Sequence, residues 1–380
     1  MGKLRLLLAL SVVAAHGEVI WKFNLIGGPL AVQSFFIISG FYMSLILNEK
    51  YIGSNNSYKL FITNRLLRIY PIYWTVLLSV VLFSLFIIIK TQGHSLDRFT
   101  VYAESKPNLF SVLYLILSQI LIFGQDIIMF LGITPGSGSF FFTTNFANTH
   151  PPLYTFLFIP QAWTLGLELT FYLIAPFVLR KGIKLVVFLI ILSLSLRFFI
   201  YNYWGLHNDP WTYRFFPTEL MFFLFGYLSY RIYLVVRKVT ISRYINLSIL
   251  CTVISFLIIF PFLPSDKVSF IPFSFKEMLL FGIMTTGIPI LFNFQKNSKI
   301  DTQIGELSYP VYIVHMAVLM ICALSFMPKS AWFMILLTIG CAYLLNKFVA
   351  SPIEKLRQRR LTRIPKQPDP AANVDLTLSA

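Results

Sequence analysis

An all-α, polytopic membrane helix bundle is the fold class this sequence predicts, and three observations carry that reading. Of 380 residues, 57% are hydrophobic and only 12% charged, with 39 phenylalanines, a balance that soluble domains do not use. Apolar runs of spanning length recur along the chain between short polar loops. Lys and Arg gather in alternate loops, the pattern that orients membrane helices.

The apolar runs cover residues 4–20, 29–47, 69–89, 111–134, 161–179, 185–203, 215–235, 245–263, 275–294, 307–327 and 331–350. If every one crossed from an inner start, Lys355, Arg357, Arg359, Arg360 and Arg363 would end outside, against the positive-inside rule. The weakest run is 111–134, which Gly124, Gln125 and Asp126 break into pieces too short to cross. Read as a re-entrant or broken segment, it leaves about ten spans, both termini cytosolic, and most of the Lys and Arg on the inner side. Residues 1–363 then form one integral-membrane domain, and 364–380, beginning PKQPDP after Ile364, read as a disordered cytosolic tail.

The net charge of +16 does not point to nucleic acid, because the basic residues sit in short loops between apolar runs. Topology and anionic membrane lipid account for it. Cys251, Cys322 and Cys341 all lie within apolar runs, so neither a disulfide frame nor a metal site is expected. The segment 135–160 is rich in Gly, Thr, Asn, Pro and Phe, with no Asp, Glu, Lys or Arg and His150 its one histidine, a composition suited either to a neutral sugar or to ordinary packing on the bundle.

Within the first run, Arg5 and His16 are eleven residues apart. Eleven steps make close to three turns, so both lie on one helix face, roughly 16 Å apart along the axis. Ionisable groups at bilayer depth cost roughly 2.5 to 3.5 kcal/mol each, which makes function the default reading. Arg65 and Arg68, in NRLLRIYPIYW, share a face at i and i+3 and read either as a topology anchor or as a fork for phosphates. Tyr70, Tyr73 and Trp74 beside them read as interface aromatics. Glu168, in PQAWTLGLELTFYLIAP, is an intramembrane carboxylate and a candidate site residue. His315, in ELSYPVYIVH, reads as an interhelical hydrogen-bonding residue. Glu18 falls on the face away from His16. No phosphate loop, GxSxG, HExxH or metal-spaced cysteine set is present, so any chemistry must use residues of the bundle.

Taken together, these motifs resemble the integral-membrane acyltransferase-3 family of polysaccharide and sugar O-acyltransferases. The matching features are Arg5 with His16, Gly27 and Gly28, the FFIISGF run from Phe35 to Phe41, Arg65 and Arg68 with YPIYW, WTLGLE with FYLIAP, and SYPVYIVH. The resemblance implies a cell-membrane enzyme, in the inner membrane if bacterial, that takes acetyl-CoA or another acyl-CoA from the cytosol. It implies transfer to a saccharide hydroxyl reached from the outer side, with an essential histidine carried to His16 and an arginine to Arg5. On this reading His16 is base or acyl carrier, Glu168 orients it or binds the sugar, and Arg5, Arg65 and Arg68 hold the CoA phosphates. The alternative is a secondary transporter or polysaccharide exporter, with Asp126, Glu168, Glu219 and His315 as relay residues.

Overall fold

The computed structural model describes residues 1–16, 25–51, 58–91, 98–324 and 331–362. Glu18 and the expected tail 364–380 lie outside them. Among the described residues nine helices are long and apolar enough to cross a membrane, and the protein is a multi-pass membrane protein. In chain order the helices are α1 Gly2–His16, α2 Gly27–Glu49, α3 Tyr58–Thr91, α4 Arg98–Ser105, α5 Leu109–Leu121, α6 Trp163–Leu179 and α7 Ile183–Asn202. There follow α8 Phe216–Val236, α9 Arg243–Ile259, α10 Phe275–Gln295, α11 Lys299–Leu324, α12 Ala331–Leu345 and α13 Ser351–Thr362.

The run 111–134 does not cross. Its helix, α5, has 13 residues, about 20 Å of rise, where the hydrocarbon core needs about 30 Å. Beyond it come a 3-10 turn at Ile127–Phe130 and a small hairpin, β1 Leu131–Ile133 antiparallel to β2 Phe140–Phe142, with Leu131 opposite Phe142. A helix that stops short exposes its last carbonyls, and these must find donors. Here α3 supplies them. Tyr73 Oη donates to the Gln119 carbonyl at 2.5 Å, Trp74 Nε1 to that of Ile120 at 3.0 Å, and Tyr70 Oη to that of Leu121. The aromatics expected to be interface anchors are the cap of a broken helix.

At the centre α2 packs along α8, and α1 along α11 and α2. Small residues set these approaches. A Cβ on Gly40 would lie 1.8 Å from the Phe223 carbonyl oxygen, and one on Gly226 would lie 2.2 Å from that of Ile37. The glycine in FFIISGF is therefore a backbone crossing point. Where α1 begins, the Asp301 carboxylate accepts from the Gly2 amide at 2.7 Å and the Lys3 amide at 3.1 Å, an N-terminal cap supplied by α11. Where α1 ends, His16 meets His315.

Contacts at both ends mean that α1 and α11 run side by side in the same direction. That parity fits the broken segment, because one extra crossing before α6 would reverse α11 relative to α1. Met1 and Arg357 line one recess, so both ends of the described chain lie at the same end of the bundle. Buried ionic groups tie the remaining core: Arg197 of α7 meets Glu219 of α8 at 2.9 Å, and Gln33 of α2 donates to the same carboxylate at 3.1 Å.

Candidate active site

Three hollows follow one another through the bundle. At the Met1 end a vestibule of about 360 Å³ is lined by Arg5, Arg68, Lys296, Glu306, Tyr309 and Arg357, among others. Arg5, Tyr42, Arg68 and Tyr309 also line the next space, an inner cavity of about 100 Å³ that adds Ser39, Arg65, Glu168, Tyr172 and Tyr312. At the opposite end an outer cavity of about 910 Å³ holds His16, with Gly28, Gln33, Trp163, Tyr213 and Arg214 in its wall.

The inner and outer cavities share Val32 and Tyr312. Tyr312 is held in place by its hydroxyl, which shares a hydrogen bond with Thr164 Oγ1 at 2.8 Å and donates to the Gln161 carbonyl at 3.1 Å. A pinned phenol is the wall between the two.

The inner cavity is basic. Arg65 is buried and its Nε finds no hydrogen-bond partner. Arg5 rises over the Tyr42 ring, its guanidinium carbon 5.9 Å from the centroid. Among the described residues none of Arg5, Arg65 and Arg68 lies within ion-pair distance of a carboxylate. Unpaired guanidinium groups inside a low-dielectric bundle call for an anion. The one carboxylate in this cavity, Glu168, accepts from Ser39 Oγ at 2.7 Å and from the Tyr172 hydroxyl.

The site residues read from the sequence thus fall into two groups. Arg5, Arg65, Arg68 and Glu168 share the inner cavity, and His16 stands across the wall. Glu168 was expected to orient the histidine or to meet the sugar; it lines the inner cavity, and His16 the outer one. The reason is the path of α6, whose start, at Trp163, borders the outer cavity, while Thr164, Leu165, Glu168 and Tyr172 border the inner one. Five residues past Trp163 the helix has advanced about 7.5 Å, far enough to pass Tyr312.

The group that does meet His16 is His315. Their ring centroids are 5.1 Å apart at a tilt of 52°. His16 Nδ1 lies 2.9 Å from the Val12 carbonyl and His315 Nδ1 2.6 Å from the Tyr312 carbonyl. A carbonyl only accepts, so both rings carry a proton on Nδ1. His315 was expected to bridge helices; its ring hydrogen bond stays within its own helix.

The outer cavity also contains a group that the sequence did not single out. Arg214 Nε donates to Asp209 Oδ1 and Oδ2 at 2.7 and 2.9 Å, and its guanidinium carbon stands 4.4 Å from the Trp163 ring centre. Tyr213 lies against Trp163 at 4.7 Å, and burial pushes its phenol well up, so it remains a neutral hydroxyl. Flat aromatic faces beside fixed hydroxyls and a carboxylate suit a polyhydroxylated ring. The cluster of Trp, Tyr, His and Asp in WGLHNDPWTYR was the available signal.

With this geometry in view, comparison with known proteins is decisive for the class. A family profile described as an acyltransferase domain matches residues 4–347. The chain belongs to the acyltransferase-3 family. It is also similar to an uncharacterized protein of Aquifex aeolicus (strain VF5), 26% identical over 227 residues that cover 57% of this chain and 95% of the relative. No solved structure matches. The matched span of this membrane acyltransferase takes in the linings of the inner and outer cavities, from Arg5 through Met316, and most of the vestibule, whose Met1, Gly2 and Arg357 lie outside it.

Proposed function

We propose that this acyltransferase moves an acyl group, most simply acetyl, from cytosolic acyl-CoA to a saccharide hydroxyl on the other side of the membrane. The observation that carries the proposal is the pair of spaces meeting at Tyr312, with unpaired arginines on one side and His16 on the other. Phosphate groups of CoA fit Arg5, Arg65 and Arg68, with Lys296 nearby in the vestibule. The pantetheine arm is narrow enough to lead the thioester toward Tyr312. Glu168 fixes Ser39 and Tyr172 along that route and offsets part of the arginine charge.

His16, which lines the outer cavity, serves through its Nε2 in one of two ways. It takes the proton of the acceptor hydroxyl as the oxygen attacks the acyl carbon, or it attacks that carbon itself and later surrenders the group. Either way the carbon–sulfur bond breaks and CoA leaves as the thiol. The exporter reading has less to stand on, since Glu219 is committed to Arg197 and Gln33.

The test is His16→Ala in proteoliposomes given labelled acetyl-CoA and an oligosaccharide acceptor. Transfer is expected to fall by about 10² to 10⁴, with the size-exclusion profile of the wild type retained. Wild-type turnover in that variant removes His16 from the reaction. Label left on His16 in the absence of acceptor selects the covalent route.

A further inference from the structure

Gly28 is a glycine that the fold does not require. Its backbone lies outside the left-handed region that Gly27 occupies at φ +77°. A Cβ added to Gly28 would meet Ala15 Cβ at 3.6 Å and His16 Cε1 at 4.0 Å, both ordinary van der Waals contacts, whereas one on Gly40 or Gly226 would strike backbone. In a helix glycine is a poorer choice than alanine, because it surrenders more backbone freedom. What the missing side chain leaves is space in the wall of the outer cavity. Cε1 of an imidazole is bonded to Nε2, so that space borders the atom through which His16 is proposed to act.

Four residues on, about 6 Å along α2, Val32 shares the helix face of Gly28. Val32 is buried and, with Tyr312, lines both the inner and the outer cavity. The same face continues through Phe35, Ser39 and Tyr42 into the inner cavity. One face of α2 thus leads from the unpaired arginines to His16. Where the cavities meet, neither side gives way easily. Tyr312 is pinned through its hydroxyl to Thr164 and Gln161 and carries the ring of Phe35 against it, with centroids 6.4 Å apart. Val32, branched at Cβ, is held close to one rotamer on a helix.

We propose, on the transferase reading, that this face of α2 is the acyl slot: Val32 with Tyr312 gauges the width of the donor's acyl group, and bare Gly28 leaves room beside His16 for its carbonyl carbon to react. The class of donor follows. A straight acyl chain enters end-on, and its length extends into the outer cavity, at about 910 Å³ the largest of the three hollows. A chain branched next to the carbonyl presents two methyl groups side by side at the residues least able to move. Acyl groups unbranched at the α-carbon are accepted, and α-branched ones are refused.

The experiment compares wild type, Val32→Ala and Gly28→Ala in proteoliposomes holding an oligosaccharide acceptor and given acetyl-CoA, butyryl-CoA or isobutyryl-CoA. The last two are isomers that differ in branching alone. Wild type should prefer butyryl by about tenfold or more in kcat/KM, the discrimination that one methyl group supplies in an apolar site. Val32→Ala, two methyl groups smaller, should bring that ratio toward one, whereas lost packing alone would slow both isomers equally. Gly28→Ala should lower kcat for acetyl transfer about ten- to a hundredfold, with KM for acetyl-CoA within about threefold. Its unfolding midpoint should not fall, since the added methyl meets only ordinary contacts and alanine is the better helix former. An isomer ratio near one in wild type overturns the proposal, as does a ratio that Val32→Ala leaves unmoved. A wild type that takes acetyl but neither isomer overturns it too, because length would then be measured. Wild-type turnover in Gly28→Ala shows that the space beside His16 is not used, and a lowered midpoint marks the glycine as structural; either overturns the slot. A wild type that transfers nothing from any acyl-CoA refutes the transferase reading instead.

Discussion

Arg65 and Arg68 show how a local rule becomes a site. Three residues apart on α3, they face one cavity because i and i+3 share a helix face, and among the described residues no carboxylate lies within ion-pair distance of either. If that charge waits for phosphate, Arg65→Gln and Arg68→Gln should each raise KM for acetyl-CoA roughly ten- to a hundredfold, the worth of one charge-assisted hydrogen bond. Initial-rate kinetics should find kcat little changed, and lysine at either place should restore less than full binding because it lacks the fork. Arg5 and His16 were legible for the same reason, since eleven residues of one helix fix their own geometry. Glu168 was legible as an intramembrane carboxylate but not in its company. Which cavity a side chain meets depends on where Tyr312 of another helix crosses α6, and local spacing holds no record of that. The pairing of His16 with His315 was hidden likewise, because it needs the register of α1 on α11.

Among the elements, α5 is the one whose energetics are most exposed to a single change. Its last carbonyls lie where a membrane helix would normally continue, and their donors come from Tyr70, Tyr73 and Trp74. Tyr73→Phe keeps the ring and removes the donor, leaving the Gln119 carbonyl buried and unmet at a cost of about 1–3 kcal/mol. Thermal unfolding in detergent should register that loss, and amide exchange should rise first in the turn after Leu121. Gly124, Gln125 and Asp126 gave away that the run was broken, because polar residues at bilayer depth must be shielded. The cap itself was misread as an aromatic belt. Tyr and Trp do both jobs with the same hydroxyl and indole N–H, and only the position of a partner helix separates them. Gly40 was visible as part of a motif, but its reason, the carbonyl of Phe223 at 1.8 Å from where a Cβ would stand, belongs to the crossing of α2 and α8.

For the molecule as a whole the governing feature is that the inner and outer cavities meet at Tyr312 and Val32. Tyr312→Ala would remove the phenol that separates them along with its hydrogen bonds to Thr164 and Gln161. Water from the outer cavity would then reach the thioester, so acetyl-CoA hydrolysis without acceptor should rise about tenfold or more while transfer falls. A thiol-release assay with and without oligosaccharide reads both, and equal hydrolysis in variant and wild type would show that the wall lies elsewhere. The overall architecture was open to sequence reasoning because bilayer thickness and loop charge constrain it strongly. The chain of hollows was not, since cavities are left by the meeting of side chains from helices far apart in sequence.

A bundle hollowed from both ends resembles a channel, yet the ring of Tyr312 stands between the two recesses. If the reaction is the one proposed, an acyl group handed across that ring requires no continuous column of water, and the exterior of a cell is chemically decorated from its interior without discharging the voltage on which the cell runs.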